Sequence, residues 1–91
     1  MTIRIEFFGI PRARAGVAET FCDAPDGRLS AGELLAQLAA RFPELAAACF
    51  EGDRLAAQYA MNIDGEQFVD DPQTTLRAGQ SVLIMSADAG G

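Results

Sequence analysis

The sequence closes on Gly90-Gly91, and the chemistry that pair can offer is that of a main-chain carboxylate with no side chains around it. Such an end fits a tunnel too narrow for any other residue pair, and glycine accepts whatever backbone angles the tunnel imposes. It follows a polar stretch of small residues, Ser86-Ala87-Asp88-Ala89, and before that an apolar run, Val82-Leu83-Ile84-Met85. A frayed chain end is the ordinary alternative, since termini are commonly poorly ordered whatever their sequence. The rest of the chain has to decide between them.

Other reactive groups are scarce. The sequence contains no His, which removes the usual base for activating a Ser or Cys nucleophile and the commonest zinc ligand. Cys22 and Cys49 stand far apart in no Cys-x-x-Cys arrangement, and they read as buried reduced thiols ahead of redox or metal-binding groups. Asp64, Glu66, Asp70 and Asp71 lack the twelve-residue spacing and closing Glu of a calcium loop, so they read as turn and surface residues. All seven basic residues are Arg. With no Lys, the chain offers no side-chain amine to an isopeptide-linked modifier and cannot form chains on itself.

At 91 residues the chain is one small domain with a core but no room for a deep catalytic cleft. Thirteen acidic residues against seven Arg give a net charge of −6, which argues against nucleic acid and in favour of a basic protein surface as partner. No apolar run is long enough to span a bilayer, and the start alternates like a strand where a signal peptide would carry an apolar block, so a cytoplasmic protein with no membrane partner is expected.

Ile3, Ile5 and Phe7 alternate with polar neighbours in a strand's period of two, leaving Phe8 on the opposite face. Gly9 to Gly16 breaks the pattern and Val17 to Cys22 resumes it, which predicts a hairpin across a longer loop. Arg12 and Arg14 in that loop are either partner contacts or solvated charges. Asp26-Gly27 marks a turn, and Ser30 with Glu33 reads as a capping box that opens a helix. Leu34, Leu38 and Phe42 recur every four residues to form its apolar stripe, Pro43 closes it, and 44–50 adds a turn or two. Strands follow over 58–63 and 66–69, joined by a two-residue Asp64-Gly65 turn; 74–79 reads as a turn, and 81–86 as the last strand. The order predicts an α+β fold: a mixed sheet of four to five strands, its first and last strands parallel, with one main helix on one face. This is the β-grasp plan, with the domain over 1–86 and a flexible tail over 87–91.

Four stretches give this order a family likeness. Ile3-Arg4-Ile5-Glu6-Phe7-Phe8-Gly9, the segment from Leu34 to Leu45 with its Arg41-Phe42-Pro43 stop, Asn62-Ile63-Asp64-Gly65-Glu66, and Leu76 to Val82 followed by a terminal Gly-Gly together resemble the ThiS/MoaD family of ubiquitin-like sulfur carriers. The resemblance implies that an adenylyltransferase of the ubiquitin-activating type uses ATP and Mg²⁺ to adenylate the Gly91 carboxylate, and that a sulfur donor protein converts it to a thiocarboxylate. Gly91 then holds the reactive group, Gly90 grants it passage, and the chain binds no cofactor of its own and is not itself an enzyme. A larger catalytic partner, such as the molybdopterin synthase large subunit, would take the sulfur.

The first loop, Arg12-Ala13-Arg14, and the approach to the glycines, Met85 to Ala89, depart from the Arg-Glu pair and Pro-Pro stretch typical of molybdopterin synthase small subunits. Molybdopterin synthesis therefore shares the field with carriers for thiamine, cysteine, methionine or secondary metabolites. A ubiquitin-like protein modifier and a β-grasp interaction module are the remaining readings. For docking, Val82 and Ile84 facing the helix would put Leu83, Met85 and Phe8 on the other sheet face, either as partner anchors or beneath loops.

Overall fold

The chain opens with strand β1 (Thr2–Phe7), whose Ile3, Ile5 and Phe7 are all but fully buried as their alternation predicts. The structure, a computed structural model, describes residues 1–87, so Gly90 and Gly91 lie outside the described residues. Next comes helix α1 (Ile10–Ala15), where a loop was expected. The Gly and Pro residues that looked like breakers are its end signals. Pro11 sits in the first turn, where its missing N–H is no loss, and Gly16 closes the helix in the left-handed conformation (φ 80°) with its N–H donating to the Arg12 carbonyl at 2.9 Å. Arg12 and Arg14 fall in the last turn, where a cation suits the carbonyl end.

Strand β2 (Glu19–Asp23) returns antiparallel to β1, with Ile3 opposite Cys22 and Ile5 opposite Thr20. A single 3₁₀ turn at Pro25–Gly27 leads into β3 (Arg28–Ser30). Helix α2 (Ala31–Arg41) then begins on the expected capping box. Ser30 Oγ accepts from the Glu33 N–H at 3.0 Å, and the Glu33 carboxylate accepts from the Ser30 N–H at 2.9 Å, which holds the Glu33 carboxyl below its ordinary range. Leu34, Leu35 and Leu38 bury the inner face. Pro43 ends α2 by keeping Phe42 out of helical angles (φ −128°, ψ 74°), and it also starts α3 (Pro43–Cys49) from its own first turn.

A small hairpin follows, β4 (Phe50–Glu51) with β5 (Arg54–Leu55), then β6 (Tyr59–Ile63), β7 (Gln67–Val69), β8 (Thr75–Arg77) and β9 (Ser81–Ser86). Asp64 and Gly65 both take positive φ, 55° and 72°, as a tight hairpin turn demands. Ile63 pairs with Gln67, however, so the connection is Asp64–Glu66, one residue longer than expected. Asp64 also ties the turn to the next strand: Ser81 N–H donates to its carboxylate at 2.8 Å, and its own N–H donates to the Ser81 carbonyl at 2.7 Å. The stretch expected as a plain turn after residue 74 contains β8, which pairs with β3.

The main sheet has the order β2-β1-β9-β6-β7, with β9 parallel to β1 and antiparallel to β6. This is the expected α+β, β-grasp plan at five strands, with α2 as its principal helix. The core lies between α2, α3 and one sheet face, where Leu34, Leu38 and Leu45 meet Ile3, Ile5, Val82 and Ile84. Phe7 and Phe42 close one end, edge to face at 5.9 Å.

Candidate functional site

Strand β9 is the central strand and also the one that delivers the chain to its terminus. Val82 and Ile84 are completely buried, so the strand is anchored along its length on the helix side. Each such side chain stabilises the fold by about 1.5–3 kcal/mol. The last described step is a turn at Ala87, whose N–H donates to the Gln58 carbonyl at 2.7 Å. The last described residue is therefore tied to the segment that leads into β6.

Alternation sends Leu83 and Met85 to the other sheet face, as expected, where both are half-buried. The register sets their neighbours. Leu83 stands between Glu6 of β1 and Asn62 of β6, and Asn62 is in turn opposite Phe68 of β7. Met85 is opposite Ala60, and one more step along the parallel register places Phe8 beside it; the Phe8 N–H donates to the Ile84 carbonyl at 3.0 Å. Phe8 is 42% exposed and Phe68 66% exposed. The α2 and α3 side chains of the core pack on the opposite face, with Ile3, Ile5, Val82 and Ile84. The three residues expected there, Phe8, Leu83 and Met85, are brought together on it.

Two further aromatics on this face were not singled out from the sequence, Phe68 and Phe21, the latter opposite Arg4 and 52% exposed. The sequence signal was weak, because the alternate phase holds Thr20 and Cys22 in β2 and Gln67 and Val69 in β7, and a Phe beside such neighbours reads as the inward residue. On the β2 side the apolar band is bordered by an ion-pair triad. Arg4 binds Glu6 through one terminal nitrogen and Glu19 through the other at 2.6 Å, and these carboxylates raise its already high pKa, Glu19 foremost. The triad carries a net negative charge.

Asn62 stands out on this face. It is 5% exposed, and its Oδ1 has no hydrogen-bond partner among the described residues. A buried acceptor without a donor costs about 1–3 kcal/mol, and native structures keep few of them.

The thiols are poor candidates for chemistry. Burial raises the pKa of Cys22 against the opposing influence of the Arg41 guanidinium, whose Nη2 lies 3.4 Å from the sulfur. Burial likewise raises Cys49, with Tyr59 as its hydrogen-bonding neighbour. Among the described residues no His, Cys, Asp and Glu side chains converge in a group that could hold a metal ion. No helix among them is long and apolar enough to cross a membrane.

No protein-family model matches the chain, and no curated protein matches it either. Solved structures do. SAMP1 from Haloferax volcanii superposes with a TM-score of 0.81 at 21% identity, covering 100% of both chains. A putative molybdopterin converting factor subunit 1 from Pyrococcus furiosus gives 0.73 at 19% identity over 94% of this chain and 97% of that one. A chain of the BexX/CysO complex from Amycolatopsis orientalis gives 0.71 at 17% identity over 98% and 99%. At these identities the likeness is one of fold, and it extends over the whole domain.

Proposed function

We propose that this protein is a ubiquitin-like carrier whose terminal Gly91 carboxylate is activated and loaded with sulfur by partner enzymes. The observation that carries the reading is the geometry of β9: it is anchored by fully buried Val82 and Ile84, its other face carries Leu83 and Met85 beside the exposed Phe8, and the sequence after it runs to Gly90-Gly91. The chemistry follows from what a carboxylate lacks. It is a poor electrophile, so an adenylyltransferase joins one of its oxygens to the α-phosphorus of ATP, with Mg²⁺ balancing phosphate charge and pyrophosphate departing. The acyl-adenylate has a good leaving group. The outer sulfur of a donor-protein persulfide attacks the acyl carbon and AMP leaves. A second thiol of the partner machinery then attacks the donor sulfur, the S–S bond of the acyl disulfide breaks, and the donor is left as a disulfide. The terminus is released as a thiocarboxylate, an anionic sulfur nucleophile on a main-chain tether.

The chain's own residues dock and present. Phe8, Leu83, Met85 and Phe68 offer apolar contact, while the Arg4–Glu6–Glu19 triad favours a basic flank on the partner. A donor from that partner would satisfy Asn62 Oδ1. The sulfur is delivered to a larger catalytic subunit, with molybdopterin synthesis the foremost pathway, in keeping with the likeness to a molybdopterin converting factor subunit. Thiamine, cysteine, methionine and secondary-metabolite synthesis are the other acceptors. The likeness to a CysO-complex chain supports a carrier that works with a partner protein.

The likeness to SAMP1, a small archaeal modifier protein, favours a second reading in which the same activated terminus forms an amide with a target lysine. Intact mass spectrometry after incubation with the adenylyltransferase, ATP and a sulfur donor separates the two. Exchange of one oxygen for sulfur supports the carrier, target-linked conjugates support the modifier, and an unchanged mass with a competent enzyme overturns both. Deleting Gly91 is expected to abolish activation while leaving the melting temperature unchanged.

A further inference from the structure

We propose a second docking groove, on the helix side of the sheet and distinct from the outer apolar face, that receives an apolar side chain flanked by Arg or Lys on a partner protein. The groove encloses about 330 Å³ between the start of α2, the β4–β5 hairpin and the Asp70-Asp71-Pro72 turn. Ligand pockets span roughly 300–1,000 Å³, so this one has room for an inserted side chain or two and little more.

Its floor is apolar: Ala31 and Leu35 of α2 and Met61 of β6, each 2–3% exposed. Its rim is acidic. Glu51, Asp53, Asp70 and Asp71 line it against a single cation, Arg54, whose contact with Asp53 is loose at 3.9 Å. Four carboxylates against one guanidinium leave the mouth three charges negative, over a floor that offers an anion nothing. The helix start adds no anion site either, because its first amides are already used: Ala31 N–H donates to the Thr74 carbonyl and Gly32 N–H to the Pro72 carbonyl, both at 2.9 Å.

The groove is also built to keep its shape. A Cβ on Gly32 would lie 3.2 Å from Pro72 Cβ, 3.3 Å from the Pro72 carbonyl oxygen and 3.5 Å from Asp53 Cβ. Glycine there lets both walls close on the helix. Asp71 is pinned by the Gln73 N–H, which donates to its carboxylate at 2.8 Å.

Charge selects the occupant. A second copy of this chain, with a net charge of −6, meets the acidic mouth with like charge. The chain's own terminus, Asp88-Ala89-Gly90-Gly91, brings an aspartate, a carboxylate and no large apolar side chain. A basic, apolar segment of another protein meets both the floor and the rim. This groove stands on its own geometry and does not depend on the chemistry of the Gly91 terminus.

The test follows the amide resonances of the full chain by ¹H–¹⁵N NMR during titration with acetyl-Arg-Leu-Leu-Arg-amide, and in parallel with acetyl-Glu-Leu-Leu-Glu-amide. The basic peptide is expected to give saturable shifts around Ala31, Asp53–Leu55 and Val69–Asp71, and the acidic one none. The triple variant Glu51→Gln, Asp53→Asn, Asp70→Asn, all exposed positions, is expected to bind the basic peptide about tenfold more weakly with an unchanged spectrum elsewhere. Phe68→Ser, on the outer face, should bind as the parent does. Equal response to the two peptides, shifts confined to the outer face, or no saturation at millimolar basic peptide would each overturn the proposal.

Discussion

Asn62→Leu should make the isolated protein more stable and its docking weaker. Leucine has the same branching and the same number of heavy atoms as asparagine, and the extra bulk of its methyl groups falls beside Phe68, whose 66% exposed ring can yield. What it removes is an acceptor buried to 5% exposure with no donor among the described residues. Relieving that penalty is worth about 1–2 kcal/mol, the lower part of the range for an unsatisfied buried polar group. A domain of this size shifts its melting temperature by roughly 4–8 °C per kcal/mol. Urea titration followed by circular dichroism measures the effect as a higher midpoint at unchanged m value. In the binding arm, titration calorimetry against the adenylyltransferase should show a loss of about five- to 150-fold, because a partner donor now faces a methyl group. A lower urea midpoint for Asn62→Leu would refute the reasoning, since it would mean that the amide is satisfied within the domain.

Phe68→Ser is expected to leave stability nearly unchanged, as the ring is 66% exposed, and to weaken adenylyltransferase binding by about ten- to 100-fold, the worth of burying one large apolar side chain. Leu38→Ala, at a fully buried position under the sheet, should cost about 2–5 kcal/mol in urea titration while the folded fraction still accepts activation. The lowered pKa of Glu33 means that the unfolded chain takes up its proton first on acidification, so the cap's contribution is present above the ordinary Glu range near pH ~4.3 and fades as pH falls through the lower folded value. Melting temperatures between neutral and acid pH should therefore fall less steeply in Glu33→Gln than in the parent. The raised thiol pKa values of Cys22 and Cys49 work in the other direction: the unfolded thiols ionise first, stability declines as pH rises past about 8.5, and both sulfurs should resist a disulfide reagent until urea opens the domain.

The strands, the capping box and the parallel pairing of the first and last strands were legible because each rests on a local pattern: alternation in Ile3-Arg4-Ile5, the Ser30–Glu33 spacing, the Asp64-Gly65 turn. Helix α1 was not, because Gly9, Pro11 and Gly16 carry the same letters whether they break a helix or cap one, and only contact with α3 and β9 favours the short helix over a loop. The β3–β8 pair was equally hidden, since three-residue strands separated by nearly half the chain have no periodicity of their own. At the site, the phase of β9 gave Leu83 and Met85 directly. Phe21 and Phe68 lacked that signal, since Thr20 interrupts the apolar phase in β2 and Gln67 does so in β7, and their outward position is set by pairing with Arg4 and Asn62. Asn62 could not be found this way. Its outward phase reads as solvated, and its burial arises from neighbours on two other strands.

Placing β9 between a parallel and an antiparallel neighbour separates two demands that would conflict on any edge strand. On the proposed function, the terminus has to enter another enzyme's active site, while the strand that leads to it must not peel away. Internal pairing on both sides, together with two fully buried side chains, supplies the second. It also explains why the polar anomaly sits at Asn62. A side chain opposite Leu83 lies on the strand next to β9, so on the proposed function a partner that satisfied its Oδ1 would be registered against β9. The cost of the unsatisfied Oδ1 in the free domain would, on the same function, be relieved by a partner docked along β6 and β9, which is what the binding arm of Asn62→Leu measures.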